Sequence, residues 1–351
     1  MTVRTMTTRA RIRAMAAAAL LTMTAGCGAQ QSGDAPAAAE PTDQQTEAPV
    51  EQDTGDHGGD RPRLDIPVTV GTDLLVGGEH VPGRWYAADG RGTHWIALRD
   101  DRTWWWGYDE EPQRIEGQID QSVVISPNGG YTAHVLGEPG DRWVLVGADT
   151  EYAGEGFGGV DLPRGPMAPP PRAVAVTDDG LVVAGGNRFQ WLWRPLVDNA
   201  TVDLSETAPG QVVLSGTDAG LVVNEGAYGR TDGTQGAPYL ARLAADGTLS
   251  RLDPVPTHDV LEAGEQWLAY VPPGSIGGEA WTTSELLVQR RDGSGAAALE
   301  PPAGWRFAVP GFRWETADRL LALLVSPDER TQSLARCRPD TETCELVDLA
   351  D

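Results

Sequence analysis

One repeating pattern does most to limit what this chain can fold into. The segments 123–135, 173–183, 212–223 and 260–270 each read as an apolar strand, a polar turn and a second apolar strand. Looser copies lie at 84–98 and 312–324. The copies are short apolar runs with some alternation, as buried and half-buried strands show. A third strand follows, as in Arg142–Val146, Phe189–Trp193, Tyr239–Leu243 and Glu285–Gln289. A short edge strand comes next, as in Thr201–Leu204, Leu249–Leu252 and Cys344–Leu349. Turn dipeptides punctuate the strands: Asp89-Gly90, Asn128-Gly129, Asp179-Gly180, Asp246-Gly247 and Asp292-Gly293 are read as type I′ hairpin turns. No long segment downstream of residue 63 carries the 3.6-residue period of a helix.

Four strands recurring at roughly 40 to 50 residues make one propeller blade per repeat. The expected fold is therefore all-β, a β-propeller of about six four-stranded blades over residues 64–351, with seven as the alternative. The extra segment Leu64–Val81 either pairs with the last blade to close the ring or belongs to a seventh blade. The run Ile125-Ser126-Pro127-Asn128-Gly129-Gly130-Tyr131-Thr132-Ala133 resembles the Ser-Pro-Asp-Gly signature of TolB-like and WD40-like propeller repeats, and Ser326-Pro327-Asp328 partly echoes it. This resemblance implies a fold and a style of binding and no reaction.

Ahead of the repeats the chain reads as an address. Residues 1–26 carry Arg4, Arg9, Arg11 and Arg13, no acid, and the apolar run Ala14–Leu21. That run is too short to span a bilayer and has the build of a signal peptide. It ends in Thr24-Ala25-Gly26-Cys27, which resembles the lipobox of bacterial lipoproteins. The resemblance implies cleavage before Cys27 and a lipid anchor on that cysteine, on the extracytoplasmic face of the cell membrane. Residues 27–63 are rich in Ala, Pro, Gln, Thr and acid, and read as a disordered linker. Such a coil spans on the order of 30 Å. All basic residues are Arg, with no Lys in the chain, which reads as the codon bias of a GC-rich, actinobacterial-type genome.

Charge and cysteines narrow the function. A net charge of −24 argues against nucleic-acid binding, which needs basic patches. Membrane contact is expected through the lipid alone. Cys337 and Cys344, close together in an exported chain, are expected to form a disulfide across the last hairpin. His80, His94, His134 and His258 lie apart from one another and from cysteine, so no metal or cofactor is expected. Gly154-Glu155-Gly156-Phe157-Gly158-Gly159 matches a dinucleotide pattern but runs on into prolines, not a helix, and reads as a loop between strands. No Gly-x-Ser-x-Gly elbow is present.

The chain thus reads as a monomeric, non-catalytic binding or scaffolding propeller for a protein or peptide of the cell envelope. Candidate binding residues are Trp104 and Trp106, on one face of a strand with Trp105 on the other, together with Tyr228, Arg230 and Trp281 in the long inter-strand loops 226–238 and 271–281. The alternative is a glycan-acting hydrolase or lyase, with paired carboxylates facing across the propeller channel.

Overall fold

The computed structural model describes residues 63–108, 112–117, 119–138, 142–150, 156–163, 169–186, 189–225, 237–277 and 281–349. The signal peptide, Cys27 and the linker before residue 63 lie outside the described residues, as do Tyr228 and Arg230.

Every described sheet is antiparallel, and its strands follow one another in sequence except at β22 (Thr282–Thr283), which leaves blade five and pairs with β25 (Arg306–Thr316) of blade six. The first sheet has three strands, β1 (Val68–Val70), β2 (Asp73–Val76) and β3 (Glu79–Val81). Blade one follows, with β4 (Trp85–Arg91), β5 (His94–Arg99), β6 (Trp104–Gly107) and β7 (Gln113–Arg114). Blade two holds β8 (Ile119–Ile125), β9 (Tyr131–Glu138), β10 (Arg142–Asp149) and β11 (Gly156–Asp161). Blade three holds β12 (Arg172–Thr177), β13 (Gly180–Ala184), β14 (Gln190–Arg194) and β15 (Ala200–Asp203). In blade four stand β16 (Gln211–Thr217), β17 (Gly220–Glu225), β18 (Tyr239–Leu243) and β19 (Leu249–Pro254). In blade five stand β20 (Val260–Ala263), β21 (Trp267–Val271), β23 (Leu286–Arg290) and β24 (Ala297–Leu299). Blade six joins the short β22 (Thr282–Thr283) to β25 (Arg306–Thr316), β26 (Arg319–Val325), β27 (Gln332–Arg338) and β28 (Thr343–Leu346). The only helix among the described residues is the single turn α1 (Leu204–Thr207). Seven sheets thus form a propeller ring, the seventh being the sheet at the chain start.

The first strand of each blade lies inside. Within the ring β8 and β16 both touch β12, β4 touches β8, and β20 touches β25. Because neighbours are antiparallel, the hairpins joining first and second strands all fall at one end of the ring. The connections between second and third strands fall at the other. Apolar clusters fill the spaces between sheets. Blades five and six share Trp267, Leu286, Phe307 and Trp314, and blades three and four share Val182, Leu192, Leu221 and Tyr239. Burying such side chains contributes about 1.5–3 kcal/mol each.

The three-stranded sheet closes the ring at its seam, and strand alternation explains how. Leu75 and Ile66 pack on Leu321, Leu334 and Val347 of the last blade. Leu74, one residue on, points the other way onto Trp85 and Trp95 of blade one. Among the described residues the sheet shares no ladder with the last blade; side chains hold it there. Glu315 is fully buried and accepts from Arg336 Nε at 2.7 Å and Nη2 at 2.8 Å, and from the Asp65 amide at 3.2 Å. Arg336 also donates to the Arg63 carbonyl. The Gly92 amide donates to the Asp65 carbonyl at 2.8 Å, which ties the same segment to blade one.

The turn readings shift. At Asn128-Gly129, Asp246-Gly247 and Asp292-Gly293 only the glycine has positive φ, and its amide closes a turn begun three residues earlier at Ser126, Ala244 and Arg290, so these are not type I′ pairs. Asp89-Gly90 lies inside β4, and the actual turn is Gly92-Thr93, because Arg91 pairs with His94. A Cβ on Gly90 would stand 2.1 Å from the His94 carbonyl, so crowding and not a turn demands glycine there. Likewise the blade-three turn is Asp178-Asp179, with Gly180 beginning β13 under the Trp193 carbonyl. A further correction concerns Gly156-Phe157-Gly158-Gly159, expected in a loop: these residues belong to β11 and pair with β10. Cys337 and Cys344 stand opposite each other in the β27–β28 ladder and form the disulfide.

Candidate ligand site at the ring seam

Charged residues at the inner strands are the exception in a core of Val, Ala and Leu, and three of them converge. Asp89 comes from β4, Glu262 from β20 and Arg313 from β25. Arg313 donates to Asp89 and lies 4.0 Å from the Glu262 carboxylate. Deeper toward the hairpin end, Arg91 pairs with Asp218 at 3.1 Å and donates to the Trp314 and Glu315 carbonyls.

The protein around these groups decides their protonation. Burial pushes the Glu262 carboxyl up to about 7; Arg313 opposes this, and the like charges of Asp89 and Asp218 add to it. Burial likewise raises Asp218, against the pull of Arg91 and Arg313. For Arg313, burial acts downward, but the fields of Asp89 and Glu262 outweigh it and raise the guanidinium. Glu262 still keeps 30 % of its side-chain surface open, so solvent reaches it.

Beside this trio lies a cavity of about 360 Å³ between the seam sheet, blade one and blade six. Asp89, Glu262 and Arg313 line it on the polar side, and Ile66, Phe312 and Leu323 on the apolar side. Its size and its mix of apolar wall with a few convergent polar groups are those of a small-ligand pocket. Tyr86 belongs to the lining and is 60 % exposed. Trp281, 61 % exposed, stands at the same end of the ring in the β21–β23 connection. Its carbonyl accepts from the Val309 amide at 2.8 Å, next to Pro310 of the cavity wall.

The expected binding residues therefore scatter. Trp281 is near the seam cavity. Trp104 and Trp106 are half-buried and lie elsewhere, on the face of β6 away from the seam. Trp105, on the other face, packs edge-on to Trp85 at 6.3 Å under the Arg99 guanidinium, so it is structural. Tyr86, Asp89, Glu262 and Arg313 escaped sequence reasoning. The available signal was a charged residue inside an apolar strand, as in Val260-Leu261-Glu262-Ala263 and Phe312-Arg313-Trp314.

No known protein family and no curated protein matches the sequence. Among solved structures the chain is similar to oligogalacturonate lyase from Vibrio parahaemolyticus, at 13 % identity over 75 % of this chain and 81 % of that one, TM-score 0.48. It is similar to the β-propeller domain of the Trilobed protease from Pyrococcus furiosus, at 10 % identity over 82 % and 95 %, TM-score 0.47. It is also similar to TolB from Acinetobacter baumannii, at 12 % identity over 68 % and 58 %, TM-score 0.31. Likeness this distant brings no ligand, partner or reaction to this chain.

Proposed function

We propose that this chain is a binding propeller of the cell envelope, tethered through lipid on Cys27, which takes a peptide segment of an envelope partner into the seam cavity. The observation that carries the reading is the cavity itself, with an apolar wall, the polar trio Asp89–Arg313–Glu262, and Tyr86 at its edge. An apolar side chain of the partner fills the wall, and its backbone groups meet the trio. The Cys337–Cys344 disulfide fits an oxidising compartment, in keeping with export.

The test is site-specific photocrosslinking in cells. A benzophenone amino acid at Tyr86 is expected to trap a discrete partner. The same group at Val197, 60 % exposed in the β14–β15 turn at the opposite end, is expected to trap none. Identical products from both positions, or none from position 86, would refute the reading.

A second reading is action on a glycan, favoured by Glu262, whose carboxyl near 7 is suited to general acid catalysis beside Asp89. Against it, Asp89 is already engaged by Arg313. Turnover of an envelope polysaccharide that Glu262→Gln abolishes would establish it.

A further inference from the structure

A second cavity, of about 420 Å³, lies between blades one and two, away from the seam. We propose that it is a binding site for a single neutral sugar ring.

The local sequence builds it. In β6 the strand period sends Trp105 toward the seam and Trp106 toward blade two, where it lines the cavity. The facing wall is β9, in which Thr132 and His134 point the same way. His134 is only 5 % exposed, and its Nδ1 is buried with no hydrogen-bond partner among the described residues. Buried polar atoms are rarely left so. As the ring stands Nδ1 has no accessible surface, and a flip of the imidazole about its Cβ–Cγ bond turns that edge of the ring around, so that a ligand in the cavity can supply the missing hydrogen bond.

The ligand class follows from the walls. An indole face accepts a ring with an apolar C–H surface. His134, Thr132 and Gln113 around it can bond hydroxyls of either sense, since a neutral imidazole, a hydroxyl and an amide each donate and accept. Burial holds His134 down to about 4, so it is uncharged at neutral pH. Of the charged lining residues, Arg114 and Glu116 are both exposed and opposite in sign, and Asp149 is already engaged by its surroundings. Among the described residues no buried counter-charge awaits an ionic ligand. An apolar ring edged by hydroxyls is the chemistry of a neutral pyranose. The site is independent of the seam cavity and shares no residue with it.

The experiment is ligand-observed NMR and calorimetric titration of the full chain with methyl glycosides of glucose, galactose, mannose and N-acetylglucosamine, and with methyl glucuronide as the charged contrast. At least one neutral glycoside is expected to bind saturably. Trp106→Ala is expected to weaken it at least tenfold, and His134→Phe, which keeps the ring and removes the nitrogens, to do the same. Trp281→Ala should leave it unchanged. Affinity should be flat between pH 5.5 and 8, well above the His134 titration. Thermal unfolding of each variant checks folding; should His134→Phe fail to fold, the Trp106→Ala comparison decides alone. Three results would each overturn the proposal: no neutral glycoside binding at saturating millimolar concentration, the glucuronide binding as well as the neutral sugars, or binding that survives Trp106→Ala. In the first case the cavity holds water only.

Discussion

Glu315→Gln tests how the ring is closed. The wild-type carboxylate has no exposed side-chain surface and accepts three hydrogen bonds, two from Arg336 and one from the Asp65 amide. Glutamine keeps the shape but removes the charge and turns one acceptor into a donor facing a guanidinium. Hydrogen bonds to charged groups contribute about 1.5–3 kcal/mol each, and breaking a buried ion pair costs about 3–5 kcal/mol. Arg336 remains 25 % exposed and can recover some hydration, so the lower figure applies, about 3 kcal/mol. At about 2 °C per kcal/mol for a domain of this size, the melting temperature should fall by about 6 °C. The loss should also be local. Freed from Arg336, the segment 63–66 should become the first site of proteolysis and hydrogen exchange within the propeller, ahead of the blades.

The acid dependence supplies a second readout with a definite sign. Burial alone would raise Glu315, but the hydrogen bond from Arg336 and that from Asp65 lower it below the ordinary carboxylate value of 4.5. Its stabilisation is therefore fully present above the unfolded value and is lost as pH falls through the lower folded one. The wild-type and Glu315→Gln melting curves should converge in acid and separate at neutral pH. Scanning calorimetry at a series of pH values measures both. A neutral-pH loss below about 1 kcal/mol, or a gap that persists unchanged into acid, would show that the latch does not hold the seam.

Glu262 should behave in the opposite way. Between 4.5 and about 7 the folded chain keeps a proton on Glu262 that the unfolded chain has released, so this group makes stability fall as pH rises through that window; Glu262→Gln should remove that slope, and parallel pH profiles would contradict the assignment. Replacing Cys337 and Cys344 by Ser should cost about 2–3 kcal/mol from the short closed loop, read as a lower denaturation midpoint at unchanged slope. Cys27→Ser should move the chain from the detergent phase to the aqueous phase in a partitioning assay; a variant that stays with the membrane would exclude the lipid anchor as the tether.

The blades were legible in the sequence because a strand pair declares itself locally. Segments such as Val212–Val223 are apolar on either side of a polar turn, and their partners lie a few residues away in the chain. The cysteine pair was legible for the same reason, being seven residues apart. Glycine was less reliable: Gly90 and Gly180 look like turn residues, yet each is required by a carbonyl on the neighbouring strand, which is a fact of packing. The site lies further still from local rules. Arg313 and Asp89 are 224 residues apart, and only closure of the ring brings blade six against blade one. Strand period can say that Glu262 lies on a given face, but not that Arg313 and Asp89 share the same space. So the sequence determined the sheets and their order, which rest on contacts a few residues apart, and placed the turns between strands only to within a residue or two. The tertiary structure decided where the ring meets itself, and with it which charges are buried together and which aromatics remain at the surface.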